Sequence, residues 1–131
     1  YAAEIKGKVL LDTCNPFPGR DGEMANAARA RGTGLASAQF LPGARLVRAF
    51  NALPHAALVG EAHRAGERLG IPLAADDRDA LAIAVRLVED AGFEPVVVGT
   101  LSRAKAFDAG SEVFGRALTA RELRQALGIA N

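Results

Sequence analysis

Apolar residues in this chain fall into short unbroken runs, separated by stretches in which they recur at every third or fourth position. Four runs have the length of strands: residues 8–12 (KVLLD), 45–50 (RLVRAF), 71–75 (IPLAA) and 95–99 (PVVVG). They show little of the apolar–polar alternation of a half-solvated strand, which predicts strands covered on both faces. The 3.6-residue period is clearest over 76–92 (DDRDALAIAVRLVEDAG), where Ala80, Leu81, Ala84, Leu87, Val88 and Ala91 share one face. Asp76 or Asp77 is placed to cap that helix and Gly92 to stop it. In TARELRQALG, Thr119 and Glu122 make an S/T-x-x-E capping box and Gly128 closes the helix. A weaker helical pattern covers 54–70, with Pro54 suited to its first turn and Gly60 and Gly66 diluting it. Residues 16–34, rich in Gly, Arg, Asp and Asn, read as a long loop carrying a single helical turn.

Strands alternating with helices predict a mostly parallel α/β sheet with flanking helices. Ligands of such sheets sit at the carboxyl ends of the strands. Attention therefore falls on Thr13 to Pro16, Asn51 to Leu53, Asp76 and Asp77, and Gly99 to Leu101. No internal repeat or low-complexity tract interrupts the pattern.

Composition narrows the function class. The chain has 131 residues, enough for one domain, and half of them are apolar while only 5% are aromatic. Its core must be built from Ala, Val, Leu and Ile, as suits helices packed closely on a sheet. Sixteen basic against 15 acidic residues leave a net charge of +1, with no basic excess to point at nucleic acid. The single cysteine excludes an intrachain disulfide and fits a reducing cytosol. No apolar run approaches the roughly 18 residues of a membrane span, and no signal peptide is visible. The expectation is a cytoplasmic domain. The chain opens on Tyr1 rather than Met and reaches its first strand almost at once, which suggests a processed or truncated piece of a longer protein.

Several constellations invite chemistry. CNPFPGR (14–20) has the C-x5-R spacing of a cysteine phosphatase, whose loop holds phosphate through backbone N–H groups while Arg20 would grip it and Cys14 attack. Pro16 and Pro18 remove two of those donors, and no histidine precedes the cysteine to activate it. Cys14 serves equally as a small residue at a strand end. GTGLAS (32–37) resembles a damaged dinucleotide fingerprint, but NAARAR before it is no strand, so it reads as a helix start with Thr33 as a cap. His55 and His63, with Glu67 one turn on, lack the three or four close ligands of a zinc site, and no metal is expected. Arg29, Arg31, Arg45 and Arg48 make either a patch for a phosphorylated ligand or ordinary solubilising charge. Asn15 and Asn51 each sit directly after or at the end of a predicted strand. Their amides, with a donor and an acceptor each, suit a carboxamide such as that of nicotinamide; alternatively, Asn-Pro makes a turn.

Three stretches taken together carry a resemblance: KVLLDTCNPFPGRDGEMA, FLPGARLVRAFNAL and IPLAADDRDALAIAVRLVEDAGFEPVVVGTLSRAKAFD. In that order they resemble the C-terminal half of the NADPH-dependent deazaflavin (coenzyme F-420) reductases and the related dinucleotide-binding oxidoreductases, a domain type also similar to the cytosolic part of transmembrane ferric reductases. The resemblance implies a Rossmann-type sheet binding NADP(H), with hydride passing between nicotinamide and coenzyme F-420 or another flavin-like acceptor. The T-x-N-P motif, on Thr13, Asn15 and Pro16, would line the nicotinamide. The A-F-N motif, on Ala49, Phe50 and Asn51, would end the next strand at the same pocket, and G-x-L, on Gly99 and Leu101, would serve the acceptor side. Positioning suffices for such chemistry, so no catalytic acid or base is expected.

The family's glycine-rich turn has no counterpart here. Residues 1–131 are therefore expected to be the C-terminal part of a single NAD(P)-binding domain, with activity belonging to the complete protein. An exposed first strand would pair with the missing N-terminal half or with a second copy in a homodimer. The competing reading is a non-enzymatic half-domain that works by dimerisation or partner binding, with the phosphatase a remote third.

Overall fold

The computed structural model describes residues 1–130. Four strands form one open sheet: β1 (Val9–Asp12), β2 (Arg45–Arg48), β3 (Gly70–Ala75) and β4 (Glu94–Gly99), in the order β1-β2-β3-β4. β1 runs parallel to β2 and β3 parallel to β4, whereas β2 and β3 are antiparallel. This is a mostly parallel Rossmann-like α/β sheet, and the four apolar runs in the sequence are its strands. Only β3 is buried along its whole length. β1 and β4 are the edges and stay partly accessible.

The side-chain alternation of the strands divides the core in two. Val9, Leu11, Val47, Ile71, Leu73 and Ala75 face α5 (His55–Gly60) and α6 (Arg78–Asp90), whose Ala80, Ala84 and Val88 pack down on them. Each large buried side chain here contributes about 1.5–3 kcal/mol. Asp77 caps α6 by accepting the Ala80 N–H at 2.8 Å. Ala74 and Val96 face the other way, toward a 3₁₀ helix (Leu101–Phe107) and α7 (Ala120–Leu127). The Thr119–Glu122 capping box opens α7, and Gly128, in the left-handed region, closes it. A Cβ on Gly70 would stand 2.9 Å from the Ala120 Cα, so glycine is what lets α7 approach β3 this closely.

Three expectations change. Residues 16–34 are largely helical, not a long loop. A one-turn α1 (Ala2–Ile5) precedes β1, and after it come α2 (Pro18–Asp21), α3 (Glu23–Arg31) and α4 (Thr33–Phe40). The alanines of α3 are strong helix formers, and Gly22 (φ 70°) and Gly32 (φ 102°) supply the breaks between helices. The helical pattern over 54–70 stops at Gly60, and His63 lies in a turn where its N–H donates to the Gly92 carbonyl at 3.0 Å. His55 and His63 therefore share no helix, and Glu67 pairs with Arg121 instead. The third change concerns direction. Because β3 and β4 run opposite to β1 and β2, the carboxyl ends of the four strands lie on two rims rather than one.

Candidate active site

The rim formed by the ends of β1 and β2 is organised by Arg48. This residue interrupts the apolar β2 run and is fully buried. Asp12 is its neighbour across the β1–β2 ladder. One guanidinium nitrogen, Nη1, lies 3.4 Å from Asp12 Oδ1 and donates to the backbone carbonyls of Asp12 and Cys14. The other arm reaches Asp108, just beyond the 3₁₀ helix, with Nε at 3.1 Å and Nη2 at 2.9 Å from Oδ1. Asp108 Oδ2 accepts the N–H of Thr33, the first residue of α4, at 2.8 Å. One cation thus joins the end of β1, the start of α4 and the end of the 3₁₀ helix. Such geometry suits the planar fork of arginine.

The predicted T-x-N-P and A-F-N residues meet at this rim. Thr13 is exposed, and Asn15 and Pro16 are half-buried beside it. Asn15 Nδ2 donates to the Asn51 carbonyl at 2.9 Å, while its Oδ1 stands 3.5 Å from Arg48 Nη2. Ala49 is fully buried. Phe50 takes a φ of 61°, rare for a residue with a side chain, and this left-handed turn sends the chain from β2 into Asn51. The Asn51 side chain is buried and donates Nδ2 to the Phe107 carbonyl at 3.0 Å. Asn15 thus meets the main chain of Asn51, not its side-chain amide; Asn51 Nδ2 is committed to the fold, and Asn15 is the one nearer solvent.

Gly99 and Leu101 are not brought to this rim. Gly99 ends β4 and Leu101 follows it at the opposite rim, where the Leu101 N–H donates to Asp76 Oδ1 at 2.9 Å. The seven-residue 3₁₀ helix then crosses the sheet face, about 14 Å at ~2 Å per residue, and delivers Phe107 and Asp108 to the first rim instead. The four arginines form no patch: Arg45 pairs with Asp77 on the other face of the sheet, and Arg48 is buried.

Beside Asn15 opens a cleft of about 190 Å³, lined on one side by Cys14, Asn15 and Pro16 and on the other by Met24, Ala25, Ala28, Thr33, Ala36 and Phe40. Its wall comes from α4 and from α3, which lies in the segment expected to be loop. The volume suits one ring system rather than a whole dinucleotide. The Cys14 thiol is pushed up from its ordinary value, first by burial and then by the nearby Asp12 charge. A nucleophilic cysteine needs the opposite. Arg20 binds Asp21 through two contacts of 2.7 and 2.8 Å and donates to the Asn15 carbonyl at 3.0 Å, so it does not point into a phosphate cradle. Asp21 is held down at about 2 by that arginine. Among the described residues no group of three or more His, Cys, Asp or Glu is placed to hold a metal ion, and no helix is long and apolar enough to cross a membrane.

Comparison with known proteins places the fold. No protein-family model matches the chain, and no curated protein matches it in sequence. Solved structures do. A hypothetical protein from Sinorhizobium meliloti superposes with a TM-score of 0.70 at 26% identity, covering 87% of this chain and 56% of the other. A candidate F-420-dependent NADP-reductase from Arthrobacter sp. FB24 superposes with a TM-score of 0.68 at 22% identity, covering 99% of this chain and 58% of the other. The chain is similar to both in fold, and it spans little more than half the length of either.

Proposed function

We propose that this chain is the C-terminal part of a single NAD(P)-binding domain and that the complete protein is an oxidoreductase, passing hydride between NADP(H) and a deazaflavin or flavin-like acceptor. The observation that carries the reading is the Asn15 cleft, apolar on its walls and polar on one edge, at the carboxyl ends of two parallel strands. The likeness in fold to the Arthrobacter protein supports it.

The residues present fit one end of such a cofactor. Pro16, Met24, Ala25, Ala28 and Phe40 offer the faces of a ring slot. Asn15 Oδ1, held only at 3.5 Å, and Thr33 Oγ1, buried without a hydrogen-bond partner, offer polar contacts to a carboxamide. They do not fit the pyrophosphate end: Gly32 and Gly34 follow a helix instead of a strand, and the Thr33 N–H between them belongs to Asp108. That end falls to chain preceding β1, whose outer edge is open for another strand. When bound, the nicotinamide supplies or receives the hydride. Asn15 orients the ring, Arg48 fixes the loop that carries Asn15, and the α3–α4 wall keeps water off the reacting face.

The test is NADPH oxidation by the complete protein with coenzyme F-420 as acceptor. Asn15→Ala should lower kcat by about tenfold to a hundredfold, the cost of a misplaced ring. Unchanged turnover and NADPH affinity in that variant would remove Asn15 from the site. The open β1 edge also favours a second reading, a half-domain that works by pairing. Concentration-dependent dimerisation of a protein that binds no dinucleotide would select it.

A further inference from the structure

A second concavity of about 290 Å³ adjoins the cleft, lined by Arg29, Lys105, Asp108, Ala109, Gly110 and Ser111. Asp108 links the two, because its Oδ2 accepts from Thr33 on the cleft wall. The charges around the second cavity do not balance. Arg29 donates Nη2 to the Ala109 carbonyl at 3.2 Å, and Lys105 donates Nζ to the Ala30 carbonyl at 2.9 Å. Among the described residues neither forms an ion pair with a carboxylate. The one carboxylate in the lining is already committed, Oδ1 to Arg48 and Oδ2 to the Thr33 N–H. Two positive charges therefore face a polar hollow whose single carboxylate is shared with Arg48, and basic charge is in excess there.

Two further features belong to the same place. Ser111 Oγ is buried and has no hydrogen-bond partner, a cost that a bound acceptor removes. Gly110 has a φ of 91°, and a Cβ there would stand 2.8 Å from Arg29 Nη2. The absent side chain is what lets the guanidinium lie against this turn.

We infer that this cavity is an anion site for the phosphate group of a small-molecule ligand, held by charge-assisted hydrogen bonds from Arg29 and Lys105 and by the Ser111 hydroxyl. The inference is independent of the oxidoreductase reading, since a simple anion needs neither nicotinamide nor acceptor to occupy the site.

The test is a titration of inorganic pyrophosphate into the protein at low ionic strength, following the backbone amide resonances of Gly110 and Ser111 by NMR. A saturable shift is expected, with affinity reduced about tenfold in Arg29→Gln and by a smaller factor in Lys105→Gln. Arg86→Gln, an equal charge change on exposed α6 across the sheet, should leave it intact. Arg29→Gln also removes a bond to Ala109; Lys105→Gln, on an exposed side chain, checks the site without disturbing that turn. Shifts that fail to saturate, or that survive unchanged in the Arg29→Gln/Lys105→Gln double variant, would overturn the proposal. Displacement of pyrophosphate by NADPH would assign the phosphate to a dinucleotide, and undisturbed binding would assign it to a separate phosphorylated ligand; either result retains the site.

Discussion

Arg45 and Arg48 stand three residues apart on one strand, and each meets an aspartate through Nε and Nη2, yet they belong to different worlds. Their odd spacing puts them on opposite faces of the sheet. Arg45 grips Asp77 at 2.7 and 3.0 Å with about a third of each side chain exposed. Arg48 grips Asp108 at similar distances with none of its own side chain exposed. The outer pair ties a strand start to a helix cap that α6 already possesses. The inner one carries two backbone carbonyls, two carboxylates and, through Asp108, the start of α4. The same chemistry is ornamental at one rim and structural at the other because water is available at the first and excluded from the second.

Removing the inner cation should give the largest effect. Arg48→Ala leaves Asp12 and Asp108 buried without a counter-charge and should cost about 3–5 kcal/mol, read as a fall in the denaturation midpoint with an unchanged slope. A loss no larger than that of Arg45→Ala would break the comparison. Asp108→Asn should cost less, about 1–3 kcal/mol. An amide can accept from Arg48 or from the Thr33 N–H, but its NH₂ then faces the other donor. Its specific signature is loss of amide-exchange protection at Thr33.

The outer pair should show the smallest effect, and one that depends on pH. The Asp77 carboxyl lies well below its ordinary value of 3.8, first through its hydrogen bond to Arg45 and then through the Ala80 N–H. A lowered folded value contributes stability above the unfolded value and loses it as the pH falls through the folded one. Arg45→Ala should therefore be slightly destabilised at neutral pH and converge on the parent protein in strong acid. A gap that persists in acid would show that packing by the arginine stem, not the charge, is what Arg45 supplies.

Legibility followed the range of the interactions. The strands, the Asp77 cap and the Thr119–Glu122 box are written in local pattern, and each stands where the pattern places it. Strand direction is not local. The run from Ala49 to Leu69 reverses the chain between β2 and β3, and no residue type in it announces the reversal; Gly99 and Leu101 went to the far rim for that reason. Residues 16–34 concealed α3 because Gly22 and Gly32 break the period on either side of an alanine-rich turn pattern. The core of the candidate site left one overlooked trace. Asp12 ends the first apolar run and Arg48 interrupts the second, and in a parallel pair they fall opposite each other. Asp108 left none, since only the 3₁₀ crossing carries it to them.

The strands stand in the sheet in the order in which they occur in the chain. Each pairing joins successive strands, so the sheet can lengthen by one strand at a time, with short closures and little searching. Arg48 is the exception to that economy. One of its two carboxylate partners, Asp108, lies 60 residues downstream, beyond the last strand, so the guanidinium is only half-paired, with Asp12, until residues 101–108 dock. The rim that holds Asn15 is thus complete only once that docking is made, and a chain stopped short of Asp108 would have its strands but not its full site.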